Sequence, residues 1–124
     1  MGVERIWLGL AALGGLLAVA IGAFGAHGVA DPQAKAWMDT GATYLMLHCL
    51  AVFAAAFVAT RGSRLARAAP PVFLAGGLIF CGTLFAMAMG APRILGAVTP
   101  IGGLLFMGGW VVLAIAAMAR PTAS

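Results

Sequence analysis

The stretch IWLGLAALGGLLAVAIGAFGA, residues 6–26, contains no charged side chain and is long enough to cross a lipid bilayer as one α-helix. A bilayer core of about 30 Å needs a helix of about 20 mostly apolar residues. Three later stretches, residues 40–60, 71–90 and 98–118, also lack charged side chains. The sequence therefore predicts an all-α membrane protein in which residues 1–124 form one domain, a compact bundle of four transmembrane helices.

The composition excludes a soluble domain. Of the 124 residues, 64% are hydrophobic and 8% are charged, whereas soluble domains are about half apolar and about a quarter charged. The formal net charge is +4, but the basic residues do not form the exposed basic patch that is typical of nucleic-acid-binding proteins. We expect the lipid bilayer to be a partner and nucleic acid not to be one.

The positions of the basic residues predict the orientation. In short loops, Lys and Arg accumulate on the cytoplasmic side of the membrane. Two of the seven basic residues, Lys35 and Arg93, lie in the first and third predicted loops. The other five lie at the chain ends and in the middle loop: Arg5, Arg61, Arg64, Arg67 and Arg120. The sequence therefore predicts that both termini are cytoplasmic.

Small residues recur along each predicted helix at spacings that place them on one face. Such stripes let membrane helices approach backbone to backbone. We therefore predict that these stripes are helix-packing surfaces, although some could serve a partner protein. The stripes are Gly14, Ala18, Gly22 and Ala26; Ala51, Ala55 and Ala59; Gly82, Ala86 and Gly90; and Gly102, Gly109 and Ala116.

Three polar residues of the second helix, Thr40, Tyr44 and His48, follow one another at intervals of four and so share one helix face. Polar groups inside a membrane usually face the protein interior. Counting along the helices places His48 about 12 Å below the outer surface, with Thr83 at a similar depth. Two roles remain open: His48 fixes helix register by bonding Thr83 or a backbone carbonyl, or this face binds a ligand. Packing does not explain His27, at the end of the first helix, so we include it among the candidate ligand-binding residues.

The sequence offers no metal, cofactor or catalytic motif. His27 is expected at the membrane surface and His48 about two turns deeper, which does not suit two ligands of one haem. There is no GxSxG turn, no P-loop, no HExxH and no intramembrane pair of carboxylates. Cys49 and Cys81 lie within apolar runs and are expected to pack as small apolar side chains. We therefore expect a protein that is not an enzyme and binds no metal.

Four motifs occur in an order that resembles the domain-of-unknown-function 423 family, also called YgdD-like proteins. They are GAFGAH at 22–27, WMDTGATYLMLH at 37–48, FCGTLF at 80–85 and TPIGGLLFMGGW at 99–110. FCGTLF is less polar than the pattern expected of the family, which has serines around the glycine and a tyrosine near the end.

The resemblance implies a small multi-pass protein of the bacterial inner membrane and no established reaction. It also implies that the family's motif positions lie in the outer halves of the helices. These positions are His27, Tyr44, His48, Thr83, Thr99, Pro100 and Trp110.

Two functions from different classes fit these observations. The first is an accessory or structural subunit that packs against a larger membrane complex or self-associates. The association of similar eukaryotic proteins with mitochondria favours a respiratory complex. The second is a binding or carrier module that holds a quinone, lipid or small solute on the Thr40–Tyr44–His48 face, with Phe53 or Phe106 against a quinone ring. Co-purification of a stoichiometric protein or of a small molecule distinguishes them.

Overall fold

The computed structural model describes residues 2–121, with side chains from residue 4 onward, and this part of the chain forms four long α-helices. All four are long and apolar enough to cross a membrane, which confirms the predicted fold class. A short 3-10 helix, Leu65–Ala68, precedes the third helix, and another, Arg93–Ala97, precedes the fourth. The α-helices are α1 (Gly2–Gly28), α2 (Pro32–Thr60), α3 (Ala69–Ala88) and α4 (Thr99–Met118).

Helix α2 begins at Pro32 rather than near residue 40, so the first predicted loop is mostly helical. The Asp31 carboxylate caps the helix by accepting a hydrogen bond from the backbone N–H of Ala34 at 2.9 Å, and proline suits the first helical position because its missing N–H would have no partner there. Lys35 and Asp39 are exposed on this first part of α2. The prediction ended the helix at these charges, which instead lie on its surface.

Helix α3 begins and ends two residues earlier than predicted. Gly90 therefore lies beyond the helix, in a turn, with φ of +105°. This is the left-handed region, which glycine adopts without steric cost. The N–H of Ala91 closes the helix end by donating to the carbonyl of Ala86 at 2.9 Å.

The helices pack in chain order, α1 on α2, α2 on α3 and α3 on α4, while α2 meets α4 and α1 meets α3 at only a few residues. Of the most apolar part of α1 only 11% is buried, against 33% of the corresponding part of α2. Helix α1 is therefore the peripheral helix, held mainly by one neighbour. The core lies mainly between the other three helices, where Val52, Phe73 and Cys81 are the largest fully buried side chains, and α1 contributes Ala11 to it.

Helices α3 and α4 approach each other backbone to backbone at Gly76 and Gly102. A methyl group on Gly102 would overlap the backbone nitrogen of Phe80 and would lie 2.8 Å from the carbonyl oxygen of Gly76. Seven residues further along α4, a methyl group on Gly109 would lie 2.6 Å from the Phe73 ring. The predicted small-residue stripe of α4 thus lies directly against α3.

The predicted stripe on α3, in contrast, was wrong. No atom lies within 4 Å of the position that a side chain at Gly82 would take. Ala86 is only half-buried, and Gly90 is outside the helix. Because α3 lies between two neighbours, it needs two close contacts, and adjacent glycines provide them. Gly76 faces α4, and a methyl group on Gly77 would contact Leu45 of α2 at 3.4 Å.

The predicted stripe on α1 is correct at its first two residues, Gly14 and Ala18, and wrong at its last two, Gly22 and Ala26. A methyl group on Gly14 would lie 2.5 Å from the Cys49 sulfur, and Ala18 is buried. Gly22 makes only an ordinary contact, and Ala26 is exposed. A repeat of four residues advances by about 40° per step around a helix of 3.6 residues per turn, so the stripe turns away from α2.

Gly25 takes the place of Ala26 at the α1–α2 contact. A methyl group there would lie 3.0 Å from the Cβ atom of Met38. Gly25 is eleven residues after Gly14, which is close to three full turns. The GAFGAHG stretch therefore contributes one close helix contact, at Gly25, and then ends α1 at Gly28.

Candidate functional site

His48 lies within an aromatic cluster formed by α2, α3 and α4, and only 6% of its surface is exposed. The Phe106 ring stacks on the imidazole with a centroid distance of 3.6 Å and 12° between the planes. The Trp110 ring presents an edge to it at 5.9 Å, and the Phe73 ring lies at 5.7 Å. The Tyr44 ring is nearly parallel to the imidazole, with centroids 6.0 Å apart.

Helix periodicity explains this cluster. Tyr44 and His48 are four residues apart on α2, and Phe106 and Trp110 are four residues apart on α4, so each pair projects from one helix face. The two pairs interlock, because the His48 ring contacts both aromatic rings of α4. The cluster is the main place where α2 meets α4, two helices that are not consecutive in the chain.

Hydrogen bonds define the chemical state of His48. The Trp110 indole N–H lies 3.1 Å from Nε2 of His48. An indole nitrogen can only donate, so Nε2 must be the accepting nitrogen and Nδ1 must carry the proton. Nδ1–H then donates to the backbone carbonyl of Tyr44 at 2.6 Å. The imidazole is therefore neutral, and both ring nitrogens are bonded to protein groups.

His48 bonds one of its two predicted partners, a backbone carbonyl; the other, Thr83, does not bond it. The Thr83 hydroxyl lies 2.6 Å from the hydroxyl of Thr99 at the start of α4 and donates to the Ile79 carbonyl at 2.7 Å. Thr99 precedes Phe106 by two turns, which places Thr83 about 10 Å from the depth of His48. The prediction counted the depth of His48 from residue 40, and α2 in fact starts at Pro32.

The structure does not bring the five predicted ligand-binding residues together. Tyr44 and His48 lie in one cluster, and Thr83 belongs to a separate α3–α4 contact. Thr40 is exposed one turn before Tyr44, and His27 is exposed in the last turn of α1. Among the described residues, no three His, Cys, Asp or Glu side chains are grouped so that they could hold a metal ion.

Sequence reasoning from periodicity did not identify Trp110 or Thr99, the two partners on α4. The family resemblance did include both among its motif positions. Of two further aromatic residues of the cluster, Phe73 carried no signal beyond its apolar character, and Phe80 was noted only as the first residue of the FCGTLF motif. The Phe80 ring lies 5.0 Å from that of Tyr44. Phe53, considered as a ligand contact, is instead exposed.

The comparisons with known proteins agree with the membrane fold. A family model described as "Protein of unknown function (DUF423)" matches residues 21–103. A UPF0382 membrane protein of Haemophilus influenzae is 44% identical over 115 residues, covering 90% of this chain and 93% of the relative. YwdK of Bacillus subtilis, also a UPF0382 membrane protein, is 37% identical, covering 92% and 97%.

A third relative, the UPF0382 inner membrane protein YgdD of Escherichia coli, is 35% identical over 93% of this chain and 91% of its own length. No solved structure matches the chain. The matched range and the near-complete coverage of these relatives confirm the resemblance: the chain belongs to the DUF423 family, whose curated relatives are UPF0382 membrane proteins.

Proposed function

We propose that the protein is a non-catalytic accessory subunit that packs against a larger protein complex in the membrane. The observation that carries this proposal is the internal pairing of its buried polar groups. Both nitrogens of His48 are bonded within the protein, and Thr83 is bonded to Thr99. Among the described residues, no buried polar side-chain atom lacks a hydrogen-bond partner. These groups join helices and present no free donor or acceptor to a substrate.

The alternative is a quinone, lipid or solute carrier that uses the Thr40–Tyr44–His48 face. On that face the Tyr44 side chain is 42% exposed, but His48 is buried and both of its ring nitrogens are already bonded. A ligand would have to displace either the Trp110 indole or the Tyr44 carbonyl from His48. It would also have to compete with Phe106, which stacks on the ring at 3.6 Å. This geometry supports the structural role over the binding role.

Helix α1 is the element through which we propose that the partner complex is contacted. One of its exposed faces carries large side chains, among them Leu13 and Leu17. Another carries the small residues Ala12 and Ala23 and the half-buried Gly15, with the exposed Val19 between them. Small residues allow a partner helix to approach closely, while large apolar side chains suit contact with lipid. Because this face of α1, the least buried helix, is exposed, a second helical protein has room to pack against it.

Native purification tests this proposal. The tagged protein, extracted with a mild detergent, should carry a larger membrane protein in constant ratio, and Gly15→Leu with Ala23→Leu should release it. Leu13→Phe, on the large-residue face, is the matched control and should retain it. A bound small molecule in constant ratio, with no protein partner, contradicts the accessory role and supports the carrier. Equal retention by both variants contradicts the assignment to α1.

For the location we propose a bacterial inner membrane, as in the name of the Escherichia coli relative, with both termini in the cytoplasm.

Cysteine labelling tests the orientation. Gln33 and Ala68 are exposed at opposite ends of the helices and are therefore suitable labelling positions. Ser63, in the middle loop, is buried, so a cysteine there would not be accessible to the reagent. Gln33→Cys should react with a membrane-impermeant thiol reagent in intact cells, and Ala68→Cys only after permeabilisation. The reverse pattern would show that the orientation is inverted.

A further inference from the structure

A cavity of about 220 Å³ lies between α1, α2 and the start of α3, at the end of the molecule where α1 begins. Short side chains on α2 create it: alanines face α1 where larger residues would close the gap. The cavity begins one turn along α2 from His48, at Val52, and its lining does not include His48. Its wall is mostly apolar and includes Trp7 and Leu8 of α1, Val52, Ala55 and Ala59 of α2, and Pro70 of α3.

Two charged residues, Glu4 and Arg67, also line this cavity. The Nε atom of Arg67 lies 3.6 Å from a Glu4 carboxylate oxygen, and the Arg67 side chain is 60% exposed. The ion pair uses Nε, and the two terminal nitrogens of the guanidinium make no hydrogen bond to any described residue. A guanidinium with free terminal nitrogens can bind phosphate oxygens in a bidentate manner.

Trp7 supplies a further donor in the wall of the cavity. Its indole N–H makes no hydrogen bond within the described part of the chain, in contrast to that of Trp110. Tryptophan is common where lipid headgroups meet the hydrocarbon core, because its ring is apolar and its N–H is polar. The cavity thus has an apolar interior, and two of the residues that line it, Trp7 and Arg67, carry an indole and a guanidinium donor.

We infer that this cavity binds one acyl chain of an anionic phospholipid, whose phosphate is held by Arg67. An apolar space in a protein excludes water, and hydrocarbon chains surround this one in the membrane. The side chains at this end of the molecule favour an anionic headgroup, because five arginines accompany a single acidic residue, Glu4. The predicted orientation places the site in the cytoplasmic leaflet, where anionic lipids are enriched. This site is independent of the proposed contact with a larger complex.

Native mass spectrometry of the full-length protein in detergent tests this inference with phosphatidylglycerol as the probe. One lipid molecule should stay bound, and Arg67→Gln should weaken its binding at least tenfold. Arg61→Gln is the matched control, because Arg61 lies over the Phe57 ring outside the cavity, and it should change binding less than twofold. Glu4→Gln breaks the same ion pair as Arg67→Gln but keeps the guanidinium, and it should retain the lipid.

The acyl chain is tested separately from the phosphate. Ala59→Phe fills the cavity and should lower lipid binding about as much as Arg67→Gln, whereas Ala54→Phe, at an exposed position of α2, should not. Phosphatidylglycerol with brominated chains should quench emission from the wild type more than from Trp7→Phe, a measurement that does not depend on how Ala59→Phe folds. If Arg67→Gln and Arg61→Gln weaken lipid binding equally, the lipid is attracted to the basic surface in general, and the inferred site is wrong.

Two ligand controls complete the experiment. Diacylglycerol with the same chains should bind at least tenfold more weakly than phosphatidylglycerol, and equal binding would remove the role of the phosphate. Inorganic phosphate at the same concentration should not displace the lipid. Displacement would show that the site recognises a free phosphate group and that the cavity holds no chain.

Discussion

Gly102→Ala should destabilise the protein more than any other single methyl addition to α4. The new methyl group would overlap the Phe80 backbone nitrogen and press on the Gly76 carbonyl. Backbone atoms of a helix cannot move aside as the end of a side chain can, so α3 and α4 would have to separate. Overpacking costs about 1–3 kcal/mol and occasionally more, and we expect the upper part of this range. The midpoint of thermal unfolding in detergent measures the effect.

Gly108→Ala is the matched control on the same helix. No atom lies within 4 Å of the methyl group that it would add, and in a helix interior alanine is favoured over glycine by about 0.5–1 kcal/mol. We therefore expect unchanged or slightly higher stability. If Gly102→Ala and Gly108→Ala unfold at the same temperature, α3 and α4 do not pack backbone to backbone at Gly76 and Gly102.

The number and class of the helices could be predicted from the sequence because each apolar stretch is uncharged and of membrane-spanning length. A helix that crosses a bilayer must satisfy its backbone hydrogen bonds internally, so length and composition suffice. The boundaries depend on local capping. Asp31 followed by Pro32 is a recognised start signal, but the prediction placed Pro32 in the first loop.

Helix contacts were harder to predict, because the spacing of small residues identifies a stripe on a helix but does not identify the neighbouring helix that the stripe faces. On α4 the seven-residue repeat of Gly102 and Gly109 stays on one side, and it packs against α3. On α1 the four-residue repeat turns away before Ala26, and Gly25 replaces it. On α3 the close contact to α4 uses Gly76, which no repeat singled out. A helix with two neighbours has two packed sides, so a single stripe cannot describe it.

His48, the centre of the candidate site, could be predicted from its polarity, but its side-chain partner could not. His48 is a polar residue in an apolar helix, so its burial in the protein could be predicted. Its predicted partners were Thr83 or a backbone carbonyl, and the Tyr44 carbonyl is indeed bonded to it. The side-chain partner is not Thr83 but Trp110, an aromatic residue whose N–H needs an acceptor in an apolar environment. An unpaired acceptor and an unpaired donor on different helices satisfy each other.

Among substitutions on α2 that introduce an apolar side chain of similar size, His48→Leu should be the most destabilising. It removes a stacking contact with Phe106, worth about 0.5–1.5 kcal/mol, and leaves the Trp110 N–H without its acceptor, which costs about 1–3 kcal/mol. Together we expect a loss of about 2–3 kcal/mol in the free energy of unfolding. Denaturation of the purified protein in mixed detergent micelles measures it.

The His48→Gln variant separates the structural role of His48 from a binding role. A glutamine carbonyl can accept from Trp110 and its amide can donate to the Tyr44 carbonyl, so only the stack on Phe106 is lost. We expect about half of the effect of leucine, with the protein partner retained. If glutamine instead releases a bound small molecule while the fold stays intact, the imidazole itself serves a ligand, and the accessory role fails for this site.

A double-mutant cycle then tests the bond itself. Trp110→Phe should destabilise the wild type but should have little further effect in His48→Leu, because the hydrogen bond is already lost. Coupled residues in contact show interaction energies of about 0.5–3 kcal/mol, and we expect about 1 kcal/mol here. Trp37→Phe is the control, since its ring lies near Arg93 and outside the aromatic cluster, so its effect should add to that of His48→Leu. Additive effects of Trp110→Phe and His48→Leu would show that this bond does not hold α2 to α4.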